Sequence, residues 1–168
     1  MNNLQKFLLR LEEPFFENYS EPPEDPLGEL SEFELGIRRF CFECNHKVSL
    51  EIGDEAITVF LDPDICMILE EMPSQVAELS KGKEMEILFA ESCSILINLK
   101  PLAHEISGAF QNWGYSDNRK YFKLDKSQVV GALKDFIDEV MQMAVDKGYI
   151  TPEQKQEFMM PMNQRAIA

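Results

Sequence analysis

FELGIRRFCFE, Phe33 to Glu43, decides how the first third of this 168-residue chain is read. Apolar and polar residues alternate along much of it. In a strand, residues two apart share a face, so Phe40, Phe42 and Cys44 point one way and Arg39, Cys41 and Glu43 the other. KVSLEI and AITVFL follow with the same alternation, and Cys44-Asn45-His46 and Gly53-Asp54 between them are tight-turn combinations. The expectation is a three-stranded antiparallel meander beginning at residue 34.

That reading bears on the one motif that suggests chemistry. Cys41 and Cys44 form a Cys-x-x-Cys pair with His46 two residues on. A structural zinc site needs both thiolates about 2.3 Å from one ion, so the chain must turn between them. Phe42 and Glu43 are not turn formers, and a strand sends the two thiols to opposite sides. Cys66 and Cys93 are isolated, and His104 lacks a spaced partner. A redox pair would sit at a helix N-terminus that stabilises the thiolate. Strand cysteines with no metal and no cofactor are therefore expected, with metal binding and redox work as the alternatives.

Downstream, LDPDICMILEE offers Asp62 as an N-cap, Pro63 at the first helical position and Asp64 in the first turn. Pro73 should stop or kink this helix, leaving Gln75 to Ser80 as a second piece that ends at Lys81-Gly82-Lys83. KEMEILFAE and CSILINLK read as a hairpin turning near Glu91-Ser92, and HEISGAFQNW and RKYFKL as a second pair across Gly114 to Asn118. Asp125 with Gln128 resembles a capping box. Val129, Leu133, Phe136, Ile137, Val140, Met141 and Ala144 then share one helical face, and Gly148 follows as a left-handed stop. Thr151-Pro152-Glu153-Gln154 starts a further short helix, and residues 159–168 read as a frayed tail. FLDPDICMIL and KLDKSQVVGAL both place a strand's last Leu before an Asp cap, which suggests a weak duplication of 34–80 in 84–148 or a chance reuse of a favoured cap.

Upstream, Leu4, Phe7, Leu8 and Leu11 read as one face of a short helix. Between Leu11 and Ile37 lie nine carboxylates and no Lys or Arg; with Lys6 and Arg10, residues 1–37 carry a net −7, half of the −14 in under a quarter of the chain. Pro14, Pro22, Pro23 and Pro26 bias this stretch against helix. It is either a solvated linker or an acidic arm carrying Phe15, Phe16 and Tyr19 as aromatic anchors. The expected organisation is a short helix plus acidic arm over 1–33, one α+β domain over 34–158, and the tail.

The expected fold class is α+β: an antiparallel sheet of six or seven strands, helices packed on one face, and a long amphipathic C-terminal helix over the sheet. The order helix, three strands, helix, strands, helix in a small acidic chain resembles that of type III secretion chaperones, which implies a protein partner.

Composition narrows function further. No apolar run approaches the roughly 18 residues of a membrane helix, the N-terminus lacks a secretion signal, and four cysteines without framework spacing suit a reducing compartment. A cytoplasmic protein is expected. A charge of −14 opposes binding to nucleic acid and anionic membranes, and the basic cluster Arg119, Lys120, Lys123 and Lys126 adjoins Asp117 and Asp125. Ser92 and Ser94 have no glycine elbow, His104 has no nucleophile, and no phosphate-cradling loop occurs. The expectation is a non-catalytic protein that binds another protein, of inhibitor, immunity, chaperone or adaptor type, with a basic partner favoured electrostatically. The alternatives are an enzyme or small-ligand domain with a site assembled from distant residues, and a nucleic-acid mimic. Phe110, Trp113, Tyr115 and Tyr121 read as a core layer plus a turn plug, or, through Trp113 and Tyr115, as partner anchors beside Phe15, Phe16 and Tyr19. Oligomeric state is left open.

Overall fold

A computed structural model describes residues 4–16, 24–113 and 119–163. Its elements are β1 (Phe7–Pro14), α1 (Glu32–Glu43), β2 (His46–Ile52), β3 (Glu55–Phe60), a π-helical turn (Leu61–Ile65), α2 (Cys66–Leu69), α3 (Met72–Ser80), β4 (Met85–Phe89), β5 (Ile95–Leu102), β6 (Glu105–Asn112), β7 (Arg119–Asp125), α4 (Lys126–Asp146) and α5 (Pro152–Asn163). The α+β class stands. The single sheet of six or seven strands does not: the seven strands among the described residues divide into a three-stranded sheet, β1-β2-β3, and a four-stranded sheet, β4-β5-β6-β7, all paired antiparallel. One parallel bridge, Gln5 to Leu124, links them, and the Gln5 N–H donates to the Lys123 carbonyl at 2.8 Å.

The first correction concerns Phe33 to Glu43, which is helix rather than strand. Ser31 caps α1, its hydroxyl accepting from the Glu34 N–H at 3.1 Å, and Glu32 and Glu34 lie in the first turn, where the helix dipole favours carboxylates. At 3.6 residues per turn, Ile37, Phe40 and Cys41 fall on the buried face, with Phe33 and Cys44 packed at its margin. Gly36 lets this helix approach the segment after α4: a Cβ there would lie 2.4 Å from the Tyr149 carbonyl oxygen.

The second correction follows from the first. The third strand of the N-terminal sheet is supplied by the segment read as a helix at Leu4 to Leu11. Phe7 and Leu9 point into the core, Phe7 pairs with Ile52, and Leu11 with Val48. Thus the chaperone-like order does not hold among the described residues, where a strand, β1, stands in place of the expected first helix. Gly53, at φ 60° in the β2–β3 turn, lies against Phe122, whose ring would meet a Cβ at 2.2 Å. The hairpin therefore needs glycine both for its backbone and for its contact with β7.

Between β3 and α2 no side chain caps the helical turn, so the expected Asp62 cap does not form, and the carboxylate that organises the corner is Asp64. Buried Asp64 accepts from the Phe60 N–H at 2.9 Å, the Ser92 N–H at 3.1 Å and the Ser92 hydroxyl at 2.6 Å, tying this corner to the β4–β5 turn. Asp62 contributes its backbone: its N–H donates to Asn45 Oδ1 at 2.9 Å and its carbonyl accepts from Asn45 Nδ2 at 3.0 Å. Only the second of the two similar junctions, at Asp125, uses its Asp as an N-cap, accepting from the Gln128 N–H at 2.9 Å.

Helix α4 matches its expected stripe, with all seven positions from Val129 to Ala144 buried. It packs on β1 and β7, while α3 packs on β4, β5 and α4. Thr151 and Gln154 cap α5 reciprocally, at 2.9 and 3.1 Å. The expected fraying from residue 159 is corrected over 159–163, which continue α5 with Met159 and Met162 buried.

Candidate functional site

Strand alternation sorts the four-stranded sheet into two faces. Met85, Ile87, Phe89, Ile95, Ile97, Leu99, Ile106, Phe110, Phe122 and Leu124 point inward and are buried. The other parity points outward, where register aligns Leu88, Leu96, Gln111 and Arg119 in one row and Glu86, Asn98, Ala109 and Tyr121 in the next. Large apolar surface stands open on this face, with Leu88 45%, Trp113 54% and Tyr121 67% exposed. Ala109 is buried although it points outward, opposite Tyr121 in the ladder. Around these residues sit Lys100, Arg119 and Lys123 against Glu84, Glu86, Glu105 and Asp125. The face is thus nearly neutral on a chain carrying −14.

The residues expected to anchor a partner divide as follows. Trp113 extends β6 on this outer face, its N–H donating to the Ser94 carbonyl at 2.9 Å. Tyr121, read with the core layer, is on the surface instead; Phe110 is in the core. Phe15 is half-buried, its ring 4.7 Å from that of Phe60 with Lys47 Nζ 6.0 Å from its centroid, whereas Phe16 is exposed. Tyr19 and Tyr115 lie outside the described residues. Trp113 and Phe15 are not brought together. β7 ends beside Gln5 and β1 runs on parallel to it, so Phe15 closes the far end of β1 while Trp113 lies toward the start of β7. Sequence alone does not mark Leu88, Leu96 and Tyr121 as surface. The signal was the parity of MEILF and RKYFKL, since one residue of register decides whether an aromatic is core or surface.

A second constellation lies between α1 and α2. Because α1 is helical, Cys41 and Cys44 are three residues apart on one side of it, not on opposite faces of a strand. Cys66, isolated in sequence spacing, starts α2 beside Ile37 and Arg38 of α1, one turn before Cys41 on that helix, and the two thiols influence each other's ionisation. Cys41 is fully buried; Cys66 lines a pocket of about 140 Å³ with Phe33, Ile37, Arg38, Met67 and Phe158 among its walls. The Cys41 contact holds the Cys66 thiol below the usual cysteine range, with Arg38 adding to it and burial and Asp62 opposing it. Cys41 is pushed well up by the same contact and by burial. Cys44 instead faces Tyr149, its Sγ 3.8 Å from the hydroxyl, which donates to the Glu43 carboxylate. All four cysteines are free, and among the described residues no three His, Cys, Asp or Glu side chains are grouped to hold a metal ion. Nor is any described helix long and apolar enough to cross a membrane.

Comparison with protein-family models, with curated proteins and with solved structures yields no match.

Proposed function

We propose that this chain is a non-catalytic cytoplasmic protein that binds another protein, as an inhibitor or as a chaperone or adaptor, and that the partner docks on the outer face of the four-stranded sheet. The observation that carries this reading is the exposure of Leu88, Trp113 and Tyr121 on a face that no described helix covers. Tryptophan and tyrosine are enriched among the residues that dominate binding energy, and the centres of interfaces are depleted in charge. This face combines both properties. The acidity carried elsewhere would accelerate encounter with a basic partner and make the association rate salt-dependent, without itself forming the contact.

The test is a pull-down from source-cell lysate at low and moderate salt, comparing wild type with the double variant Trp113→Ala/Tyr121→Ala and with Glu139→Ala, an exposed change on α4. Exposed substitutions typically shift stability by less than about 0.5 kcal/mol, so all three proteins should stay folded. A partner retained by wild type and Glu139→Ala but lost by the double variant supports the reading. Addition of the purified partner should also shift the fluorescence of Trp113, the only tryptophan. Equal retention by the double variant would overturn the docking face, and recovery of nothing beyond salt-insensitive background would overturn the binding role.

A further inference from the structure

We infer that Cys41 and Cys66 form a peroxide-oxidisable thiol pair, in which Cys66 at the α1–α2 pocket is the sulfur attacked and Cys41 the sulfur that closes a disulfide. This does not depend on the docking face, which lies on another part of the molecule. Three features of the geometry support it. Cys66 is half-buried and lines an open pocket, so a small oxidant reaches it, while Cys41 is fully buried and reacts only through Cys66. The two cysteines face each other from different elements: Cys66 lies beside Ile37 and Arg38 in the pocket wall, and Cys41 follows them by one turn on the buried face of α1. Arg38, exposed on α1, shares the pocket with Cys66 and favours its thiolate, the nucleophilic form. Asp62 acts against this charge effect, and the Cys41 contact outweighs it.

The other two cysteines are poorer candidates. Residues three apart on a helix have Cβ atoms about 5–6 Å apart, whereas a disulfide needs roughly 3.5–4.5 Å, so joining Cys41 to Cys44 would open the last turn of α1. Cys44 is also held by Tyr149. Cys93 is pushed above the usual thiol range by burial and by Asp64, and its Sγ lies 3.9 Å from the Phe89 carbonyl.

The chemistry balances with a hydroperoxide as the oxidant. The Cys66 thiolate attacks the outer peroxide oxygen, the O–O bond breaks, and the departing alkoxide or hydroxide takes the proton that Cys66 released. Cys66 is then a sulfenic acid. The Cys41 sulfur attacks the Cys66 sulfur, an S–S bond forms as the S–O bond breaks, and the Cys41 proton leaves with the hydroxide as water. Two thiols and one hydroperoxide give one disulfide, one alcohol or water, and one further water.

The experiment treats the full chain with a few equivalents of hydrogen peroxide, alkylates it under denaturing conditions, and maps the peptides by mass. Before alkylation the oxidised chain should be lighter by about 2 Da, and after it the map should show Cys41 linked to Cys66, Cys44 and Cys93 alkylated, and the link reversed by dithiothreitol. In Cys41→Ser, Cys66 should instead accumulate as a sulfenic acid trapped by dimedone. In Cys66→Ser, Cys41 should stay reduced. Arg38→Ala, an exposed change, should slow alkylation of native Cys66 several-fold. A Cys41–Cys44 link, prior oxidation of Cys93, or no thiol loss before the chain unfolds would each overturn the inference. The wild-type peptide map decides among these even where a variant fails to fold.

Discussion

The side-chain amide of Gln128 holds both backbone groups of Phe7: Nε2 donates to the Phe7 carbonyl at 2.6 Å, and Oε1 accepts from the Phe7 N–H at 3.1 Å. A glutamine in the first turn of α4 thus stands in for a neighbouring strand, at the point where β1 leaves the bridge to β7. Gln128→Leu removes both bonds and leaves two backbone groups beside the core without partners. Such a loss costs about 2–6 kcal/mol, at roughly 1–3 kcal/mol for each unsatisfied group. Gln142→Ala, at an exposed site on the same helix, should cost less than about 0.5 kcal/mol. Denaturant unfolding of both variants checks the contrast, and equal small effects would mean that Gln128 does not hold β1.

This contact also shows why α4 was legible in the sequence and β1 was not. Helix α4 runs for 21 residues, long enough for seven apolar positions to settle its period. The segment FLLRL satisfies a helical face through Phe7, Leu8 and Leu11 and a strand face through Phe7 and Leu9. What selects the strand is β2, together with a glutamine 121 positions away. Phe33 to Glu43 is ambiguous in the opposite sense, since Ile37, Phe40 and Cys41 are helical neighbours while Phe40 and Phe42 also alternate. Here a local signal did exist: Ser31 with Glu34 is the beginning of a capping box, and the Ser31 hydroxyl makes that bond. The Cys41–Cys66 contact left no trace in spacing, because it joins two elements across a β-hairpin. The outward position of Trp113 and Tyr121 could be read once the register of β6 and β7 was known, and not before.

Asp64 is 2% exposed and its carboxylate gathers three donors, one from the end of β3 and two from the β4–β5 turn. Asp64→Ala leaves the Phe60 and Ser92 N–H groups without that acceptor, at about 1–3 kcal/mol for each unsatisfied group, and removes the Ser92 hydroxyl bond, worth about 1 kcal/mol. We expect a loss of about 3–5 kcal/mol in unfolding free energy. Asp54→Ala, in the β2–β3 turn, should cost far less. A loss below about 1 kcal/mol for Asp64→Ala would show that the corner is held by other contacts.

Tyr149 provides a pH signature. Its hydroxyl donates to the Glu43 carboxylate, and that bond first, then partial burial and the Cys44 contact, push its ionisation above the ordinary tyrosine range. A group with a raised folded pKa contributes stability fully below its unfolded value, near pH 10 for tyrosine, and that contribution fades as pH climbs through the folded value. An ultraviolet titration should therefore contain one late-ionising tyrosine that is absent from Tyr149→Phe. The stability difference between wild type and this variant should be constant at neutral pH and shrink under alkaline conditions. A difference that grows with alkalinity would contradict the assigned contact.

Two glycines in helices separate the cost of a contact from the cost of a residue type. Gly36 in α1 and Gly131 in α4 both sit in helix interiors, where Ala is favoured over Gly by about 0.8–1 kcal/mol. At Gly131 a Cβ would meet nothing within 4 Å, so Gly131→Ala should stabilise the fold by about that amount. At Gly36 the same atom would lie 2.4 Å from the Tyr149 carbonyl oxygen and 3.3 Å from Ile150 Cγ2. The closer neighbour is backbone, in the short connection between α4 and α5, and cannot turn aside as a side-chain tip would. Gly36→Ala must push α1 away from that connection, and overpacking of this kind costs about 1–3 kcal/mol. The propensity gain offsets part of the loss, so a net destabilisation of about 1–2 kcal/mol is expected, opposite in sign to Gly131→Ala. Because the intrinsic preference is the same at both positions, the difference between the two variants reports the approach of α1 alone. If both alanines stabilise the protein equally, α1 does not lie against Tyr149, and the helical reading of Phe33 to Glu43 loses the contact that explains its glycine.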